Sequence, residues 1–147
     1  MEKIYKLALT FRNAIVKTPM IDMGTTLAFS DFPHACCDDA SLLLAAFLTD
    51  NGICGSLRVH GVNGGNHDEL KSHAWLSVAG LIVDITGDQF VMYKVKPVFV
   101  GSNSEFHDSF EIESTELADF RVKFKNDAGW LSTFHGDYKN ILANTCS

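Results

Sequence analysis

Two runs of strictly alternating residues meet at Ala79-Gly80, and this constrains the chain more than any other feature. A two-residue hairpin turn at that point pairs Val78 with Leu81, Leu76 with Val83 and Ala74 with Ile85. Those six residues share one face, and all are apolar. The opposite face carries His73, Trp75 and Ser77 on one strand, with Ile82, Asp84 and Thr86 on the other. A slip of one residue would turn Asp84 into the apolar face, so the alternation fixes the register. In that register His73 and Asp84 are diagonal neighbours on one face, about 7–8 Å apart at the backbone, close enough for their side chains to meet. A carboxylate bonded to one imidazole nitrogen fixes the tautomer and raises the basicity of the other, as acyl-transfer chemistry requires.

The remaining pattern surrounds this hairpin with helices and further strands. Ile4, Leu7, Phe11 and Ile15 recur at helical spacing and predict a helix over 2–17, ended by Pro19. Residues 22–35, with Gly24, Ser30 and Pro33, read as an irregular loop. From Cys37 to Asp50 the chain is helical and apolar on most sides, which predicts burial on most sides. Asn51-Gly52 stops that helix. Strands are predicted at 56–62, 72–78 and 81–86, with Asn63-Gly64-Gly65-Asn66 as a flexible loop. A fourth strand over 95–100 lies at an edge because of Pro97, a fifth spans 120–124, and a short terminal helix spans 138–143. No repeat or linker divides the 147 residues, so one domain over 1–147 is expected.

Composition narrows the function classes. Twelve Lys and Arg, scattered without a cluster in a chain of net charge −6, predict neither a nucleic-acid nor a membrane partner. No stretch approaches the about 18 uninterrupted apolar residues of a membrane span. The first residues are broken by charges and lack the apolar run of a signal peptide, so a cytoplasmic protein with reduced thiols is expected; export by a route without such a signal stays open. The four cysteines, at 36, 37, 54 and 146, form no C-x-x-C pair and no disulfide framework.

Cys37 stands where the irregular loop enters the apolar helix. A thiolate there gains from the helix dipole and from unpaired backbone N–H groups, which also favour an oxyanion beside it. Asp38 and Asp39 oppose that effect. Cys36 is adjacent, and the pattern of residues alone does not decide which sulfur faces His73.

At this point the chain resembles the transglutaminase-like branch of the papain-like cysteine enzymes. Ala35-Cys36-Cys37 opens the helix, Gly52-Ile53 falls fifteen and sixteen residues beyond Cys37, His73-Ala74-Trp75 follows, and Asp84 precedes Ile85-Thr86. The likeness covers roughly residues 32–90, and its spacing selects Cys37 over Cys36. It implies an α+β, papain-like fold in which a buried helix from the N-terminal half packs on a small antiparallel sheet. It implies a triad of Cys37 as nucleophile, His73 as general base and acid, and Asp84 as orienting group. Ala35 replaces the family's commoner glycine, and no glutamine precedes Cys37 as an oxyanion helper. Gln89 is a candidate for that donor by its nearness to Asp84, with a solvated turn residue as the plainer reading.

The function implied is thiol acyl transfer on a peptide or protein substrate, foremost a cysteine protease or amidohydrolase working through a thioester. A transglutaminase or glutamine deamidase is the alternative within this chemistry, and a non-catalytic binding module that kept the fold is the alternative outside it. Trp75, Cys36 and His34 are the candidate substrate-binding residues. No cofactor is expected, and no metal, because His34, Cys36, Cys37 and His73 lack metal-ligand spacing. Glu105-Phe106-His107-Asp108 reads as a solvent-facing loop, Asp88 as a turn cap, and Cys54 and Cys146 as structural.

Overall fold

A computed structural model describes residues 1–29 and 31–145; Ser30 and Cys146 lie outside the described residues. In chain order the elements are α1 (Glu2–Lys17), α2 (Cys37–Asp50), β1 (Leu57–Gly64), β2 (Leu70–Val78), β3 (Leu81–Asp84), β4 (Phe99–Gly101), α3 (Glu105–Asp108), β5 (Glu111–Leu117), α4 (Phe120–Lys123) and α5 (Ala128–Leu142). The strands form one antiparallel sheet in the order β4-β3-β2-β1-β5. The class is α+β.

The two long apolar patterns fold as read. Helix α1 turns Ile4, Ala8, Phe11 and Ile15 inward. Helix α2 buries every residue from Ala40 to Leu48, packing against α1 and against Leu76, Val78, Val83 and Ile85 of the hairpin. Ala79 and Gly80 adopt φ of 50° and 80°, both left-handed as a type I′ turn requires. The register is Val78↔Leu81 and Leu76↔Val83. The ladder stops there, short of Ala74 and Ile85, because β3 ends at Asp84. The Asp84 carboxylate takes the Thr86 N–H at 2.9 Å, and this side-chain-closed turn diverts the chain.

The second face of the sheet is covered too. Val59, Trp75 and Phe110 form a smaller apolar cluster there, with Leu70, Ile82 and Phe106 against it. Gly61 and Gly64 of β1 make room for it: a Cβ on either would fall within 2.7 Å of the Phe110 side chain.

Several boundaries differ from the expectation. Residues 63 and 64 continue β1 rather than loop. The strand expected over 95–100 is reduced to Phe99–Gly101, beyond Pro97 and the left-handed Lys94. In place of the strand expected over 120–124, residues 120–123 are helical, because the Asp119 side chain caps the Arg121 N–H at 2.9 Å. The fifth strand is instead Glu111–Leu117. This edge strand is exposed along most of its length, so it lacks the apolar alternation that marks a half-buried strand. Helix α5 begins ten residues earlier than expected, at Ala128, with Asp127 capping the Trp130 N–H. No helix among the described residues is long and apolar enough to cross a membrane.

Candidate active site

Beyond Leu76 the edge of β2 is free of β3, and three parts of the chain converge there. The first turn of α2 brings Cys37, β2 brings Ser72, and the turn after β3 brings Gln89. With Thr26, Ala35, Cys36, Asp38 and Asp39 they line a cleft of about 320 Å³. The turn after β3 is tied down by α1: Arg12 donates to both Asp88 carboxylate oxygens at 2.8 Å and to the Ile85 carbonyl at 2.6 Å. Asp88 is thus an anchor for this wall of the cleft.

His73 and Asp84 meet as the hairpin register requires. His73 Nε2 lies 2.7 Å from Asp84 Oδ2, and the two side chains are 0% and 1% exposed. An ionised carboxylate only accepts, so Nε2 carries the hydrogen and Nδ1 is left as the basic nitrogen. Nδ1 is buried and makes no hydrogen bond among the described residues. Burial works against the imidazolium, but the charge and hydrogen bond of Asp84, reinforced by the Cys37 thiol, push the His73 pKa up to about 9. Since Nε2 is taken by Asp84, Nδ1 is the nitrogen available to that thiol. Burial would raise the Asp84 pKa, yet the His73 charge and the hydrogen bonds from His107 and His73 hold it well below the usual carboxylate range.

Of the two adjacent cysteines, Cys37 is half-buried and Cys36 is 2% exposed. Cys36 packs in the main core. Burial first, then the neighbouring Cys37 and Asp39, push its thiol up to about 12, which leaves it inert near neutral pH. Cys36 therefore borders the cleft from below and offers a substrate almost no surface. The acidic first turn of α2 is matched: Asp38 pairs with Arg58, and Asp39 accepts from the Thr26 N–H at 3.0 Å and hydroxyl at 2.7 Å. Ala35 holds φ of 56°, a conformation that favours the glycine it replaces.

Two other expected contacts move. Trp75 is buried, with its ring 4.8 Å from that of His107 and 5.6 Å from that of His73. It screens the imidazoles from water and does not line the cleft. His34 is exposed in the turn over 31–35 and is not among the cleft-lining residues. Gln89, read as solvated, is half-buried and lines the cleft, its Nε2 donating to the Thr86 carbonyl at 3.0 Å. Cys54 is exposed rather than part of the core.

The largest correction is His107. It is not in a solvent-facing loop but 2% exposed, on the single turn α3, with Nε2 2.7 Å from the same Asp84 Oδ2 that His73 uses. Its Nδ1 lies 2.6 Å from Ser104 Oγ, and the same Oγ caps the His107 N–H at 3.2 Å. The available signal in the sequence was Ser104 three residues before the histidine, an N-cap spacing, with Phe106 and Phe110 marking a buried turn. His73, Asp84 and His107 also present ligand atoms within 4.8 Å of one another, a set open to a metal ion. Their donor chemistry suits hydrogen bonds better. Two N–H groups converge on one oxygen, and the flanking Phe90, Phe99, Phe106 and Trp75 rings supply no fourth ligand.

Compared with known proteins, the chain matches no family model, no curated protein and no solved structure. The site's own geometry therefore carries the functional reading.

Proposed function

We propose that this chain is a thiol acyl-transfer enzyme of the papain-like, transglutaminase-like class, hydrolysing a peptide or amide bond through a thioester on Cys37. The supporting observation is the division of labour on one ring. His73 gives Nε2–H to a buried carboxylate, while its Nδ1 is left without a hydrogen bond, and the ring feels the Cys37 thiol. The cysteine-headed helix, buried from Ala40 to Leu48 against an antiparallel sheet, supports the papain-like assignment.

In this mechanism the proton of the Cys37 thiol rests on Nδ1 as an imidazolium, in keeping with the raised His73 value, and the thiolate attacks the substrate carbonyl. The C–N bond breaks as the imidazolium returns its proton to the leaving amine, and a thioester remains. Water, deprotonated by the same nitrogen, then releases the acid and frees the thiol. Asp84 stays ionised throughout and holds the ring. Negative charge on the carbonyl oxygen develops beside the Cys37 N–H, one of the free donors opening α2. The polar cleft lining, from Thr26, Asp38, Asp39, Ser72 and Gln89, keeps water near the thioester, which favours hydrolysis over transfer to an amine.

The test is mass spectrometry of candidate peptides incubated with the wild-type protein and with Cys37→Ala. Cleavage that disappears in the variant is the expected result; a deamidated or cross-linked product instead moves the assignment to a deamidase or transglutaminase. Iodoacetamide labelling gives the check that needs no substrate. Cys37 is expected to be alkylated at neutral pH faster than the exposed thiol of Cys54. An inert Cys37 beside a labelled Cys36 would overturn the reading.

A further inference from the structure

We propose that His107 is a positioning residue of this site, its Nε2–H fixing the Asp84 oxygen that His73 shares while the Ser104 hydroxyl supports the tautomer of His107. The proposal rests on the reading of Cys37, His73 and Asp84 as an acyl-transfer site.

The carboxylate sets the direction: it only accepts, so His107 Nε2 carries the hydrogen, and in the neutral ring Nδ1 is then the acceptor facing the Ser104 hydroxyl. Ser104 Oγ accepts the backbone N–H of His107, so its own hydrogen is free for Nδ1 of the ring. Nε2 points at Asp84 Oδ2 from 2.7 Å. The reverse tautomer would set a lone pair against a carboxylate oxygen at that distance. Asp84 is thereby held from both ends. His73 and His107 occupy Oδ2, while the Thr86 N–H at 2.9 Å occupies Oδ1, with the Thr86 hydroxyl at 3.4 Å. The carboxylate cannot rotate without breaking several bonds at once. With 1% exposure it has little solvent to replace a lost one.

The setting argues that the imidazole is there for this contact. Trp75, Phe99 and Phe106 surround the ring at 4.8, 5.3 and 5.0 Å. A phenyl ring would fill such an apolar box at no polar cost. A histidine in it is costly unless its nitrogens are used, and both are.

His107→Phe keeps the volume and deletes the donor; His107→Gln keeps an amide N–H within reach of Asp84; Ser104→Ala removes the hydroxyl facing Nδ1 without touching Asp84. Two readouts are used on the intact chain: the rate of Cys37 alkylation by iodoacetamide at neutral pH, and proton NMR of the far-downfield imidazole N–H resonances. Wild-type protein is expected to show two such protons. His107→Phe should lose one, shift the other, and alkylate about tenfold more slowly, the loss of one charge-assisted hydrogen bond. His107→Gln should recover most of the rate, and Ser104→Ala should fall between. A folded His107→Phe that alkylates like wild type overturns the proposal alone. If His107→Phe does not fold, a wild-type rate in Ser104→Ala with no recovery in His107→Gln does the same. A wild-type protein whose Cys37 is unreactive removes the enzymatic reading first, and the role of His107 with it.

Discussion

A Cβ added at Gly87 would sit 2.8 Å from Asp84 Oδ2 and 2.7 Å from Val95 Cγ1, so the carboxylate is positioned by an absence of atoms as well as by its donors. Gly87→Ala is expected to cost about 1–3 kcal/mol of stability by overpacking and to slow Cys37 alkylation, since the oxygen displaced is the one both histidines hold. Urea denaturation and the iodoacetamide rate measure the two effects; an unchanged alkylation rate would show that Asp84 does not need this clearance. The same carboxylate shows how far single residues could be read in advance. The pairing of His73 with Asp84 was legible because strand side chains alternate with a period of two, so one turn at Ala79-Gly80 fixes which residues share a face. His107 was not legible by that logic. It lies 23 residues from Asp84 on a one-turn helix, which is too short to show a period. Its hydrogen bond depends on how two distant segments pack.

At the scale of elements, α1 and α2 were readable from end to end because each carries an apolar pattern several turns long. Edge strand β5 was not, since it is exposed along most of its length and its three glutamates stand among Ile112, Ser114, Thr115 and Leu117 with no apolar alternation. The contact between α2 and β1 was likewise invisible, and it matters for the site. Arg58, its side chain 12% exposed, bridges Asp38 in the first turn of α2 and Glu116 on β5, the latter at 2.6 Å. Asp38 by sequence alone opposes a thiolate at Cys37; the guanidinium offsets that charge. Arg58→Met is therefore expected to slow Cys37 alkylation at neutral pH severalfold, because a forming thiolate then faces an uncompensated carboxylate. It should also cost about 1–2 kcal/mol in urea denaturation, the order of a hydrogen-bonded charge pair. A stability loss with an unchanged alkylation rate would confine Arg58 to a structural role.

For the whole molecule, the site is a buried set of charges inside a fold whose net stability is expected to be only about 5–15 kcal/mol, so its protonation should be felt globally. His73 is raised from an unfolded value near 6.5 to about 9 in the folded chain. A raised folded value contributes stability that is fully present below about pH 6.5 and lost as pH rises through 9. Asp84 is displaced the other way, so its contribution is present above the unfolded carboxylate value of about 3.9 and lost as pH falls below it toward the depressed folded value. The two together predict a stability plateau between about pH 4 and 6.5, with a decline on the alkaline side while the acidic surface, at net charge −6, gains little further charge. The alkaline decline follows chiefly from the His73–Asp84 pair, with the Cys37 thiol adding to it. In Asp84→Asn the imidazole loses the charge that raises it, so the slope between pH 6.5 and 9 should flatten although the protein is less stable throughout. Urea midpoints measured across that window in both proteins provide the comparison. A wild-type curve with no fall above pH 6.5, or a fall of equal size in Asp84→Asn, would mean that the imidazolium–carboxylate pair is not what links this site to the stability of the fold.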